Sequence, residues 1–326
     1  MQAALTPHYG PPSVVELAEV PRPQVGPSDV LIAVQASAIT EGDRRLRAAD
    51  FPGVSKLAGR LMMGLFRPRA AVQGTMFAGR VVAVGDRVTR YAVGEAVFGS
   101  AEHGAHAELL RLDQDGPMAH MPGSLSFEQA AAIPYGAGTA LHFLSDVAGV
   151  KAGDRVAIVG AAGGVGRHAV QLAHHLGATV TAVCSAADTE LVQSLGADAV
   201  IDYRSQTFPA PGQSYDVIFD IADATSFVRA RRGLSPGGRY LSLMISLRIL
   251  AQMAWTGLTG GRRALFSVAF PSREDMARLA ELAEAGVFRP LIGARFPLGR
   301  IQDAHSAQEA GGSRGTTLVV IGSTAA

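Results

Sequence analysis

The 326-residue chain is poor in several residue types, and each scarcity narrows what it can do. Cys184 is its sole cysteine, which excludes an internal disulfide and any multi-cysteine zinc cluster and fits a reducing compartment. Neither sign of charge is in excess, since 29 basic and 28 acidic residues leave a net +1. That balance gives no electrostatic ground for a nucleic acid or an anionic membrane as main partner; a small neutral or apolar ligand fits better. Lysine occurs only at Lys56 and Lys151, so a phosphate-binding cation in the second half of the chain must be arginine. The opening MQAALTPHYGPPSVVELAEV holds neither a basic leader nor a long apolar segment, and the expected compartment is the cytoplasm. One apolar stretch, LSLMISLRILAQMAWTGL (241–258), approaches the length of a membrane span but carries Arg248 near its middle, at a cost of about 2.5–3.5 kcal/mol. It reads as a buried, lid or interface segment, with membrane contact the less favoured alternative.

Two rhythms run along the chain. Residues 1–125 hold short strand-like runs (14–20, 29–39, 78–85, 95–99 and 106–112) broken by Pro, Gly and Asp turns, which predicts a compact barrel-like unit. From 126 to 286 strands alternate with helices: RVAIVG (155–160), TVTAVC (179–184), AVIDY (199–203), YDVIFDI (215–221), GGRYLSLM (237–244) and LFSVAF (265–270), then a helix over 272–285. That alternation predicts an α/β unit with a doubly wound parallel sheet. TTLVVIG (316–322) returns to β, so that 287–326 completes the N-terminal unit.

Between the first of these strands and its helix lies AAGGVG (161–166). A dinucleotide-binding turn needs small residues there, so that the backbone turns tightly and its amides approach a pyrophosphate at the helix N-terminus. Gly163, Gly164 and Gly166 supply them, with Val165 between and Ala161 at the usual first glycine. The strand before and the second strand about twenty residues later set this apart from glycines that only let a helix pack on a sheet. The second strand ends in Cys184, Ser185, Ala186 and Ala187, without the carboxylate that grips the ribose of NAD at that position, although Asp188 follows. This favours NADPH over NADH, with Arg204 the candidate for the 2′-phosphate; Arg204 reads equally as a solvated surface residue.

The chain resembles the medium-chain dehydrogenases/reductases, in their zinc-independent quinone oxidoreductase branch. The resemblance rests on VVELAEVPRPQVGPSDVLIAVQASAIT, GTMFAGRVVAVGDRVTRYAVGEAVFG, SFEQAAAIPYGAGTALHFL, VKAGDRVAIVGAAGGVGRHAVQLAHHLGA, LVQSLGADAVIDYR and GSRGTTLVVIG, in order over about 300 residues. The loop from Phe51 to Gln73 and the string CSAADTELVQSLGADAVIDYR are most similar to the subgroup of the reticulon-4-interacting proteins. The resemblance implies a GroES-like catalytic domain from both chain ends, an inserted Rossmann domain, a substrate cleft between them, and frequently a homodimer. It further implies hydride transfer from NADPH to a quinone or an α,β-unsaturated carbonyl, as in enoyl reductases, with no zinc. Where zinc-dependent relatives hold their metal, this chain reads AITEGD and QGTMFAG, so the expected metal site is none.

By motif match, Thr139 is expected near the nicotinamide, Tyr203 and Ser185 near the adenosine, and Arg314 where the cofactor site closes. Thr139 could instead satisfy helix backbone, and Arg314 cap a loop. Tyr135 is the first candidate for proton donor, because a phenol both bonds an enolate and relays a proton; Thr40 is the second. The chain departs from the family's habit at four places around the implied cleft: Thr40–Glu41 for asparagine–proline, Met76 for a carboxylate, and Asp223 and Met244 for glycines. They point to an altered substrate, contacted by Met76 and Met244, or to weakened cofactor use. The amphipathic, basic-rimmed loop 55–70 reads as a lid over a bulky apolar substrate, a biosynthetic intermediate among the options, or as a dimer or membrane contact. The rival class is a nucleotide-binding protein of this fold that has lost turnover and acts through a protein partner.

Overall fold

The chain opens with an antiparallel ribbon, β1 (Gln2–Leu5) on β2 (Glu16–Glu19), and then enters one long strand, β3 (Asp29–Ile39). In DVLIAVQASAI, buried and half-buried residues alternate over the first seven positions, the period-two signature of a strand with one face on a core. The computed structural model describes residues 1–51, 55–311 and 314–322. In it β3 is the spine of a seven-stranded sheet. Antiparallel partners follow it in β4 (Met76–Val84), β5 (Ala96–Ser100), β6 (Leu109–Asp113) and β7 (Met118–His120).

Next come six parallel strands: β8 (Arg155–Val159), β9 (Thr179–Cys184), β10 (Ala199–Asp202), β11 (Tyr215–Asp220), β12 (Leu234–Ser242) and β13 (Arg263–Phe266). Their order is β10-β9-β8-β11-β12-β13, the doubly wound arrangement whose switch point lies between β8 and β11. The chain then returns to the first sheet with β14 (Ile292–Pro297) and β15 (Thr316–Val320), whose Leu318 pairs with Ala38 of β3. The fold is thus a GroES-like sheet built from both chain ends with a Rossmann sheet between.

A single buried cluster joins the two, taking Ala38, Met76 and Phe98 from one sheet and Ile158, Phe219 and Leu241 from the other. Phe143, in the turns that extend the Pro134–Leu141 helix, stacks on Phe219 at 5.0 Å. Burial of this size holds the two units in one relation and leaves the cleft at their seam preformed. Within the GroES-like unit the two chain ends are tied by Arg47, fully buried, which donates to Gly10 O (2.6 Å) and to the Glu309 carboxylate. Arg47→Leu leaves that carboxylate and carbonyl without their donor; the expected loss is about 3 kcal/mol in denaturant unfolding.

Several elements differ from the sequence-based expectation. LFSVAF is not strand throughout: β13 ends at Phe266, and Ser267 instead meets His142 Nε2 through its hydroxyl at 2.7 Å. Residues 241–258 divide between the end of β12 and a helix, Leu247–Thr259, and no helix among the described residues is long and apolar enough to cross a membrane. In the loop 55–70 a helix forms at Ser55–Met63, and Met62 and Phe66 point outward; no described residue of this loop lines the main cleft. The loop is tied instead to the N-terminal segment, where the Tyr9 hydroxyl donates to Gly64 O (2.7 Å) and Arg60 lies over the Tyr9 ring. The lid reading therefore gains no contact, and residues 52–54 of that stretch lie outside the described ones.

Candidate active site

At the switch point the backbone after β8 turns sharply. Gly160 adopts φ +85°, a conformation that glycine takes without strain, and Gly160 N–H and Ala161 N–H both donate to Val183 O of β9. Ala161 is fully buried beneath the turn. Gly163 is the N-cap of the Gly164–His175 helix and offers no side-chain acceptor, so the first amides of a twelve-residue helix face the cleft uncapped. A Cβ on Gly164 would meet nothing within 4 Å, whereas one on Gly166 would press into Gly160 O and stand 2.7 Å from Ala161 O. The turn thus has a close-packed floor and an open front, which fits the pyrophosphate of a nicotinamide dinucleotide.

The cleft in front has a volume of about 610 Å³. Gly163, Gly164, Val165 and Ile221 line it from the Rossmann side and Ile39, Thr40 and Glu41 from the other, with Tyr135 and Thr139 on the helix between. A chamber of about 230 Å³ lies on the far side of Tyr135 and Thr139, lined also by Met76, Phe270 and Met276. The two methionines assigned to substrate therefore part company: Met244 lines the cleft and Met76 the chamber.

Thr40 stands in the cleft as the N-cap of the Glu41–Ala48 helix. Its hydroxyl accepts from Asp43 N–H and gives its own proton to Asp43 Oδ2 at 2.6 Å, while Asp43 Oδ1 accepts from Thr75. That proton is already held by a buried carboxylate. Tyr135 differs: its ring lies against Gly42 at the start of that helix, and among the described residues no hydrogen bond takes up its phenol proton. Burial, reinforced by the Glu41 and Asp43 carboxylates and opposed by Arg45, pushes its pKa up to about 12, so the phenol keeps its proton at neutral pH. Thr139 Oγ1 donates to Tyr135 O (2.7 Å), which steadies the helix turn beneath that ring.

At the other end of the site lies a small charged group. Ser185 donates to Asp188 Oδ2 (2.7 Å), and Arg314 reaches across from the C-terminal segment, 3.7 Å from Asp188 Oδ1 and bonded to Ala187 O. Tyr203 and Arg204 form an exposed cation–π pair near by. None of Ser185, Tyr203, Arg204 and Arg314 lines the cleft itself. Asp223 takes φ +52°, the left-handed region, at the position where the resemblance led one to expect glycine. The buried Asp220 shapes that loop by accepting from Ala224 N–H, Thr225 N–H and the Tyr240 hydroxyl.

Sequence reasoning missed two cations. Arg45 bonds Glu41 and lies 3.6 Å from Met244 Sδ across the cleft; only the i,i+4 spacing EGDRR hinted at it. Arg167, one turn into the dinucleotide helix, is 5% exposed and lines the cleft, and nothing in its spacing marks it. His168 beside it is also buried, with Nδ1 2.8 Å from Gly164 O, and burial pushes its pKa down to about 4. A histidine neutral in the fold and protonated near pH 6.5 when unfolded stabilises fully above that pH and loses its contribution as pH falls towards 4. His305, held down to about 2 by burial and by its neighbours His106 and Arg47, acts in the same direction. The midpoint of thermal unfolding is expected to fall between pH 7 and pH 5, less steeply in His168→Asn; a midpoint that holds or rises would contradict this.

Among the described residues no three His, Cys, Asp or Glu side chains converge as a metal site. Residues 26–131 match the alcohol dehydrogenase GroES-like domain family and residues 195–319 the family described as zinc-binding dehydrogenase. The chain is 32% identical to the mitochondrial NAD(P)H oxidoreductase RTN4IP1 of Bos taurus, over 90% of this chain and 82% of that protein. It is 29% identical to the chloroplastic quinone-oxidoreductase QR1 of Triphysaria versicolor, over 92% of each. The solved quinone oxidoreductase of Coxiella burnetii superposes with a TM-score of 0.85 at 28% identity, covering 99% of each chain. Two sheets in this order, a glycine turn at the switch point and a relative of this similarity along most of its length lead to one conclusion: the chain belongs to the medium-chain dehydrogenases/reductases, in the quinone oxidoreductase branch.

Proposed function

We propose that this protein is a zinc-independent, NADPH-dependent reductase of quinones or α,β-unsaturated carbonyls, acting on a bulky apolar acceptor. What carries the reading is the cleft, where an uncapped helix N-terminus behind a glycine turn faces a phenol that keeps its proton, across a largely apolar space. Gly163, Gly164 and Val165 would hold the cofactor's pyrophosphate and Thr139 would lie at its nicotinamide end, while Ser185, Tyr203, Arg204 and Arg314 would attend the adenosine. When bound, the dihydronicotinamide supplies a hydride to the β-carbon of an enone or to a quinone. Tyr135 donates a hydrogen bond to the acceptor's carbonyl oxygen and passes its proton as negative charge develops there, then regains one from water. Arg45 keeps a positive charge in the same part of the cleft. Met244 and, through the chamber, Met76 give the acceptor's apolar part its contacts.

Arg204 and Arg314 favour a 2′-phosphate, and Asp188 between them opposes it. NADPH is expected to bind more tightly than NADH, and equal dissociation constants would remove this assignment. The cytoplasm and a homodimer complete the proposal. Its test is loss of NADPH absorbance with a panel of substituted quinones and enones: at least one acceptor is expected to be turned over. NADPH bound but oxidised by none would favour a binding protein without turnover.

A further inference from the structure

We infer that Arg167 is a ligand of the dinucleotide's pyrophosphate, an inference that rests on the cleft being a dinucleotide site. Its guanidinium is buried, yet Nη1 has no hydrogen-bond partner and no carboxylate pairs with it among the described residues. The contrast with Arg47 is direct, since that buried guanidinium has both Glu309 and Gly10 O. An unpaired buried cation costs free energy unless an anion joins it.

Position says which anion. Arg167 is the fourth residue of the helix that Gly163 caps, and helical side chains lean towards the N-terminus, here the uncapped end. It lines the same cleft as Gly163 and Gly164. Of the surrounding charges, Asp188 favours the cationic form from beyond the glycine turn, but at no distance that makes an ion pair. The neighbouring His168 is neutral, held by Gly164 O, and does not compete. A doubly charged pyrophosphate seated on the helix amides would supply the missing acceptor, joining a side-chain cation to the amides that the glycine turn provides.

The experiment measures dissociation constants for NADPH and for NADH, together with thermal midpoints with and without dinucleotide, in wild type, Arg167→Met and Arg167→Lys. Arg167→Met is expected to weaken both dinucleotides by the same factor, tenfold or more, and Arg167→Lys to recover part of the loss. Without dinucleotide the Arg167→Met midpoint should equal or exceed that of wild type, because an unpaired charge has been removed, while the rise produced by NADPH shrinks. Unchanged dissociation constants, or a lowered midpoint without ligand and normal binding, would overturn the inference and make Arg167 a structural residue. A loss confined to NADPH would overturn it too, by moving the contact to the 2′-phosphate. Wild type that binds neither dinucleotide would instead be a failure of the functional reading beneath it.

Discussion

Gly166→Ala is expected to cost both fold stability and dinucleotide affinity, and Gly164→Ala, two residues away, to leave stability equal or higher. The difference lies in what a methyl group meets. At Gly166 it would drive into Gly160 O and stand 2.7 Å from Ala161 O, so the helix must back away from the strand it packs on. Overpacking against backbone costs about 1–3 kcal/mol, more where neither partner can yield. Both clashing carbonyls belong to the turn itself, so relief of the clash moves the uncapped amides that would hold the pyrophosphate. The expected result is a lower unfolding midpoint and a dissociation constant for NADPH raised at least tenfold. At Gly164 the methyl group meets nothing within 4 Å and replaces a glycine in a helix, where alanine is favoured. Stability that falls equally in both variants would mean the turn is not packed as described.

Tyr135→Phe is the second large effect. The substitution keeps the ring under the Glu41–Ala48 helix and removes only the hydroxyl, so the cleft retains its shape. If the phenol delivers the proton, kcat should fall on the order of a hundredfold with KM little changed, the pattern of an interaction made in the transition state alone. Its raised pKa also sets a pH signature: no loss of activity from phenol ionisation is expected at neutral or mildly alkaline pH, since the phenol is half ionised only at about pH 12. Thr40→Ala provides the comparison. The Thr40 proton already belongs to Asp43, so this variant should lose about 1 kcal/mol of stability with its cap and only a modest part of kcat. A Tyr135→Phe variant with wild-type kcat would remove the phenol from the chemistry.

The layout was legible in the sequence because burial patterns follow local periodicity. β3 and β9 occupy the residues their alternation and apolar runs predict, and TTLVVIG does return to the first sheet. Short strands without such a run, β1, β7 and β14, escaped notice because pairing with distant partners makes them strands. The same holds for LFSVAF, which leaves the sheet after Phe266, where Ser267 meets the distant His142. In the site, the glycine turn could be read because steric demand restricts it to small residues. Arg45 and Arg167 could not, since only the fold decides whether an arginine ends in solvent or in a cleft. Nor could spacing tell that Asp43 holds the Thr40 proton, although T-x-x-D is a capping pattern once a helix is known to begin there.

The central claim is that dinucleotide and acceptor meet in the one cleft between the two sheets. NADPH carrying deuterium at C4 tests it most directly, with an enone from the panel as acceptor and the product examined by mass and NMR spectra. With deuterium on the transferred face, one atom is expected at the β-carbon of the reduced product, and the second new hydrogen comes from solvent. Labelled NADPH consumed while neither C4 label reaches the product would contradict the account.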